Sequence, residues 1–99
     1  MITFNEKVWE LAKRIPEGKV TTYRELARAL NSRAYRAVGN AMHRNPYAPV
    51  VPCHRVVNSD GTLGGFASGA VKKAELLAEE GVKVKKGKII GFERKLHRF

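Results

Sequence analysis

The chain has 99 residues, 43% of them hydrophobic. That is enough for one small domain of limited stability, and too apolar for a disordered chain. Nineteen Lys and Arg against nine Asp and Glu leave a net charge of +10, which points to a polyanion partner, nucleic acid first. No apolar run reaches the roughly 20 residues that span a bilayer. No helix pairs a strong apolar face with a Lys-rich one, so a membrane partner is not expected. The start, Met1 to Glu6, lacks the basic-then-apolar order of a secretory signal, and the expected location is the cytoplasm, at the nucleoid. A single cysteine, Cys53, rules out an intramolecular disulfide. The Cys and His spacings do not suit a zinc site, and neither a metal nor a cofactor is expected.

Phe4, Val8, Leu11, Ala12 and Ile15 recur at helical spacing and predict a helix over residues 4–15, ended by Pro16-Glu17-Gly18. Lys19-Val20-Thr21 is β-prone. Thr22, with Glu25 three residues on, has the reciprocal capping-box pattern of a second helix. Asn31-Ser32 breaks it, and Ser32 is placed to cap a third helix from Ala34 to Arg44. Two short helices and a tight turn predict a helix-turn-helix. Gly39 inside the third helix costs about 1 kcal/mol relative to Ala. Close helix packing or close approach to DNA would each compensate, since Ala37, Gly39 and Ala41 are all small.

Pro46, Pro49 and Pro52 exclude a helix before Cys53. The segment from Asn45 to Val57 reads as an ordered loop leading into a short β-prone stretch. Asn58 to Gly61 is a turn and Leu63 to Phe66 a glycine-rich loop. A last helix is predicted over residues 70–80 and ended by Gly81. Beyond it, residues 82–99 form a basic tail, in which Val82 and Val84 alternate with lysines as in an edge strand and Lys86-Gly87-Lys88 reads as a turn. No repeat, low-complexity tract or second domain is visible, so residues 1–99 form one domain.

Cys53 is either a buried small residue or a reagent. The thiolate is the reactive form, and a neighbouring base or positive field must favour it near neutral pH. His54 and Arg55 flank the sulfur, and Glu80 in the last helix is placed to orient His54.

Pro52-Cys53-His54-Arg55-Val56 resembles the active-site motif of the O6-alkylguanine-DNA alkyltransferases. The likeness extends to Thr22-Tyr23, to Arg36-Ala37-Val38-Gly39-Asn40-Ala41-Met42, to Asn45-Pro46 and to Leu76-Leu77-Ala78-Glu79-Glu80-Gly81, in the family's order and spacing. It covers residues 4 to 81. It implies an α/β, mainly α, domain: a single winged-helix-like helix-turn-helix of the alkyltransferase C-terminal type. The implied partner is double-stranded DNA containing O6-alkylguanine, bound by a monomer. The helix-turn-helix would enter the minor groove, and Arg36 would fill the gap left by the flipped guanine. Thr22, Tyr23, Ala37 and Gly39 would also meet DNA. Cys53 would take the alkyl group in one irreversible, stoichiometric step. His54 would accept the thiol proton, in the family through a water, with Glu80 holding it. Tyr23 would steady the leaving base. Met42, Asn45, Val56, Phe66 and Ser68 would line or brace the pocket, with carbonyls near Cys53 and Val56 reading the guanine amino group.

Two departures stand out. Most family members carry a further N-terminal domain, whereas Phe4 here already begins the first helix of this one. Many relatives have a tyrosine where this chain has Phe66, which can stack on a base but cannot donate a hydrogen bond. The nearest rival is an alkyltransferase-like damage sensor, a short relative that binds the lesion and recruits excision repair, usually without the cysteine. A plain DNA-binding regulator is the other, but it usually dimerises to read two half-sites, no clear dimerisation element is visible, and it would not need Pro52-Cys53-His54-Arg55.

Overall fold

Thr3 opens the first helix, α1 (Phe4–Ala12), by accepting the Glu6 amide hydrogen on its hydroxyl at 3.2 Å. The helix stops short of Ile15 because Pro16 disfavours helical backbone before it. The chain instead tightens, with the Arg14 and Ile15 amides donating to the Leu11 and Ala12 carbonyls, and this turn still delivers Ile15 to the core. The computed structural model describes residues 2–47, 50–63 and 67–99.

Thr22 ends a two-residue strand, β1 (Thr21–Thr22), and caps α2 (Tyr23–Ala29) by accepting the Glu25 amide at 3.0 Å. Only this half of the capping box forms, because the Glu25 carboxylate pairs with Arg28 at 2.7 Å. Asn31 closes α2 in left-handed backbone, φ 54°, with the Ser32 amide reaching back to the Ala27 carbonyl. Ser32 accepts from the Ala34 amide in the turn, and Ala34 takes the capping position of α3 (Tyr35–His43) without a side-chain cap. The two helices and their tight turn form the expected helix-turn-helix. Trp9 ties α1 to α3, its indole N–H donating to the Ala41 carbonyl at 2.8 Å.

The loop from α3 leads through a single 3₁₀ turn (Cys53–Arg55) into β2 (Val56–Val57), which pairs in parallel with β1. Side chains alternate across this ladder. Val56 joins Val8, Ile15, Leu26 and Val38 in one core cluster, and Val57 joins Val20, Leu77, Val82 and Ile89 in a second. The site therefore sits on a seam between two small cores. α4 (Ala67–Glu79) starts earlier than predicted and ends on Gly81, φ +84°, with Val82 and Gly81 amides returned to Leu77 and Ala78.

The basic tail is part of the domain. β3 (Val84–Lys85) and β4 (Lys88–Ile89) form an antiparallel hairpin across Lys86 and Gly87, both in left-handed backbone. Val82, expected in this strand, instead plugs the core beside the α4 end. A short α5 (Phe92–Lys95) follows, and the Val20 amide donates to the Lys95 carbonyl at 2.9 Å while the His97 amide donates to Val20. Gly61 is required where Phe92 crosses it, since an added Cβ would lie 3.0 Å from the ring. Among the described residues no helix is long and apolar enough to cross a membrane.

Candidate active site

The 3₁₀ turn lifts Cys53 out of the buried chain. Val51 and Pro52 before it and Val56 after it are buried, while Cys53 itself is partly exposed. The thiol faces a cleft of about 320 Å³ shared with Tyr23, Met42, His43, His54 and Lys73. Lys72 and Leu76 complete the wall.

Behind the cysteine lies a partly buried relay. The His54 Nε2 is 3.1 Å from Glu80 Oε2. Arg55 grips the same carboxylate with two donors, Nε to Oε1 at 2.9 Å and Nη2 to Oε2 at 2.6 Å, and its Nη1 donates to the Ile15 carbonyl at 2.9 Å. The Arg55 hydrogen bonds, then those of His54, hold the Glu80 carboxyl below the usual carboxylate range against the opposing effect of burial. An ionised carboxylate only accepts, so in the neutral ring Nε2 carries the proton and Nδ1 keeps its lone pair. Glu80 occupies the last position of the α4 cap, so the Gly81 turn fixes the carboxylate against the 3₁₀ turn. Arg55, close to the sulfur in sequence, anchors Glu80.

Tyr23 stands at the first turn of α2, where the Thr22 cap places it in the cleft. Burial, and then the charge on Cys53, push its hydroxyl above the ordinary tyrosine value. It therefore stays protonated and available as a donor. Thr22 itself is buried, with its hydroxyl occupied by the cap. Met42 is buried against the cleft and Val56 lies wholly in the core, leaving only its backbone near the site. Asn45 is not among the cleft residues. Its amide donates to the Val51 carbonyl at 2.8 Å and its carbonyl accepts from the Tyr47 amide at 2.9 Å, bracing the loop between α3 and Cys53. Phe66 lies outside the described residues, and Ser68 falls within the α4 span with its side chain outside them.

Along α3, Arg36 is exposed and Ala37 and Gly39 are half-buried. A methyl added at Gly39 would meet nothing within 4 Å, so packing inside the chain does not require the glycine. Sequence reasoning missed Lys72, Lys73 and His43 in the cleft. Spacing held the signal for one of them: Lys73, Leu76, Leu77 and Glu80 fall on one face of α4.

Residues 3–82 match the family described as 6-O-methylguanine DNA methyltransferase, DNA binding domain. The chain belongs to that family. It is 56% identical over 81 residues to the methylated-DNA–protein-cysteine methyltransferase of Thermococcus kodakarensis, covering 81% of this chain and 45% of that protein. The chain thus spans about half the length of the curated relatives it matches. The crystal structure of O6-methylguanine-DNA methyltransferase from Pyrococcus kodakaraensis superposes with a TM-score of 0.71 at 54% identity, over 80% of this chain and 46% of that one. S. pombe Atl1, solved in complex with damaged DNA containing O6-carboxymethylguanine, superposes with a TM-score of 0.87 at 33% identity, over 100% of this chain and 98% of that one.

Proposed function

We propose that this protein repairs DNA by transferring an alkyl group from O6-alkylguanine to Cys53, once per molecule. The observation that carries the reading is the partly buried Arg55–Glu80–His54 relay ending beside a partly exposed cysteine in an open cleft. A structural cysteine would need neither a fixed imidazole tautomer nor an opening.

DNA binds along α3, where Arg36 fills the space of the extruded base and the small face of Ala37 and Gly39 admits the groove wall. Extrusion costs a few kcal/mol of stacking. The flipped base enters the cleft beside Met42, with Tyr23 against it. His54 Nδ1 takes the thiol proton through a water, as in the family the chain resembles, and Glu80 stabilises the imidazolium. The thiolate attacks the alkyl carbon in line, the bond to O6 breaks, and Tyr23 donates to the departing guanine. The resulting thioether has no route back, because no group in the cleft can displace it. The resemblance further supports action as a monomer in the cytoplasm at the nucleoid.

The test follows the DNA. A duplex carrying O6-methylguanine, incubated with excess protein and digested to nucleosides, should return guanine, and Cys53→Ser should leave the lesion intact. A second reading, lesion binding without transfer, is favoured by the end-to-end superposition on Atl1, which includes the folded tail. Tight, selective binding of the lesion with no guanine formed would establish it.

A further inference from the structure

Lys73 projects from α4 into the same cleft as Cys53. Its ammonium lies 5.9 Å from the centroid of the Tyr23 ring. Burial pulls its pKa below the ordinary lysine value, and a charge on Cys53 acts in the opposite sense, so Lys73 and the sulfur sense each other across the cleft. Among the described residues it makes no ion pair. Among the described residues no carboxylate lines the cleft, whereas Lys72, Lys73 and His43 all do. Glu80, behind His54, has both oxygens taken by Arg55 and His54. A partly desolvated ammonium without a counter-ion is costly. A methyl substituent on guanine gives it nothing.

We propose that the cleft favours O6-alkylguanines whose alkyl group ends in a carboxylate, and that Lys73 is the residue that reads this charge. This rests on the proposal above that the cleft receives the O6-alkylguanine. The alkyl carbon must lie in line with Sγ, so the carboxylate of a carboxymethyl group sits one bond beyond the reacting carbon, within the field of Lys73. The ammonium also offsets the repulsion between that carboxylate and an attacking thiolate. In the step itself, the Sγ–CH₂ bond forms as the CH₂–O6 bond breaks. The bonding electrons stay on guanine, which takes a proton from Tyr23, while the thiol proton passes to His54. Imidazolium and tyrosinate then exchange a proton through solvent, leaving S-carboxymethylcysteine and guanine.

The test compares duplexes bearing O6-carboxymethylguanine and its neutral isostere O6-carbamoylmethylguanine, with O6-methylguanine and undamaged duplex as controls. Binding is read by fluorescence anisotropy in a Cys53→Ser background, so that transfer does not intervene. The acid should bind about tenfold more tightly than the amide, as one charge-assisted contact gives. Lys73→Met should remove that preference while leaving the amide within about twofold, and Lys73→Arg should keep it. Equal binding of acid and amide, with O6-methylguanine still preferred over undamaged DNA, overturns this inference alone. Equal loss of acid and amide in Lys73→Met, with no loss in Lys73→Arg, also overturns it. No preference for any lesion overturns the proposed recognition of O6-alkylguanine and this inference with it.

Discussion

Gly39→Ala separates what α3 needs to fold from what it needs to bind. Gly39 lies inside α3, its backbone is not left-handed, and an added Cβ meets nothing within 4 Å. Alanine therefore brings its helix propensity, about 1 kcal/mol, without strain. For a domain of this size that raises Tm by roughly 4–8 °C. If the open space beside Gly39 is where the DNA backbone sits, the same methyl overpacks the complex by about 1–3 kcal/mol, a roughly five- to 150-fold loss of affinity. Thermal unfolding of the free protein and anisotropy with a lesion duplex measure the two effects on one variant. A more stable protein that binds DNA as before would refute the assignment of this face to DNA. A less stable one would refute the open space itself.

Glu80→Gln leaves the partly buried Arg55 without its charge partner and should cost about 2 kcal/mol in chemical denaturation, the scale of hydrogen bonds to charged groups. The Glu80 carboxyl titrates below its ordinary value of 4.5 in the folded protein, so its stabilisation is complete above that value and is lost as pH falls through the folded pKa. The acid limb of the wild-type stability profile should therefore flatten in Glu80→Gln, and an unchanged limb would count against the relay. Tyr23→Phe should slow single-turnover transfer by about 10²-fold or more, the scale of one lost donor to a developing charge, with Tm and DNA affinity little changed. Deleting residues 90–99 removes the Lys95 and His97 bonds to Val20 and the Phe92 packing over Gly61. It should unfold the domain at a markedly lower temperature, where a loosely attached basic tail would only weaken the salt dependence of DNA binding.

The helices were legible because their signals are local. Thr22 before Glu25, the apolar spacing of α1 and Gly81 after α4 each act within one or two turns. The grouping of Cys53, His54 and Glu80 was legible through the contiguous motif around Cys53 and the offset to Glu80. Both segments of the β1–β2 pair read as β-prone, but their pairing was not legible, because the parallel partners lie 35 residues apart, Thr21 with Val56. The docking of the tail was not legible because its lysines dominate the composition, yet Val82 and Ile89 are buried and Val20 supplies backbone partners from the far end of the chain. The anchoring role of Arg55 was not legible because sequence adjacency to the sulfur says nothing of direction, and the 3₁₀ turn sends its guanidinium to Glu80 and Ile15. The cationic character of the cleft depends on α4 laying Lys73 over Tyr23, a contact 50 residues apart in sequence.

The most direct test of the account is the intact mass of the protein after incubation with a duplex containing O6-methylguanine, followed by peptide mapping. The account predicts a gain of one methyl group per molecule, located on Cys53, reached once and absent in Cys53→Ser. An unchanged mass at saturating, selective binding of the lesion would contradict transfer and leave the protein a damage sensor.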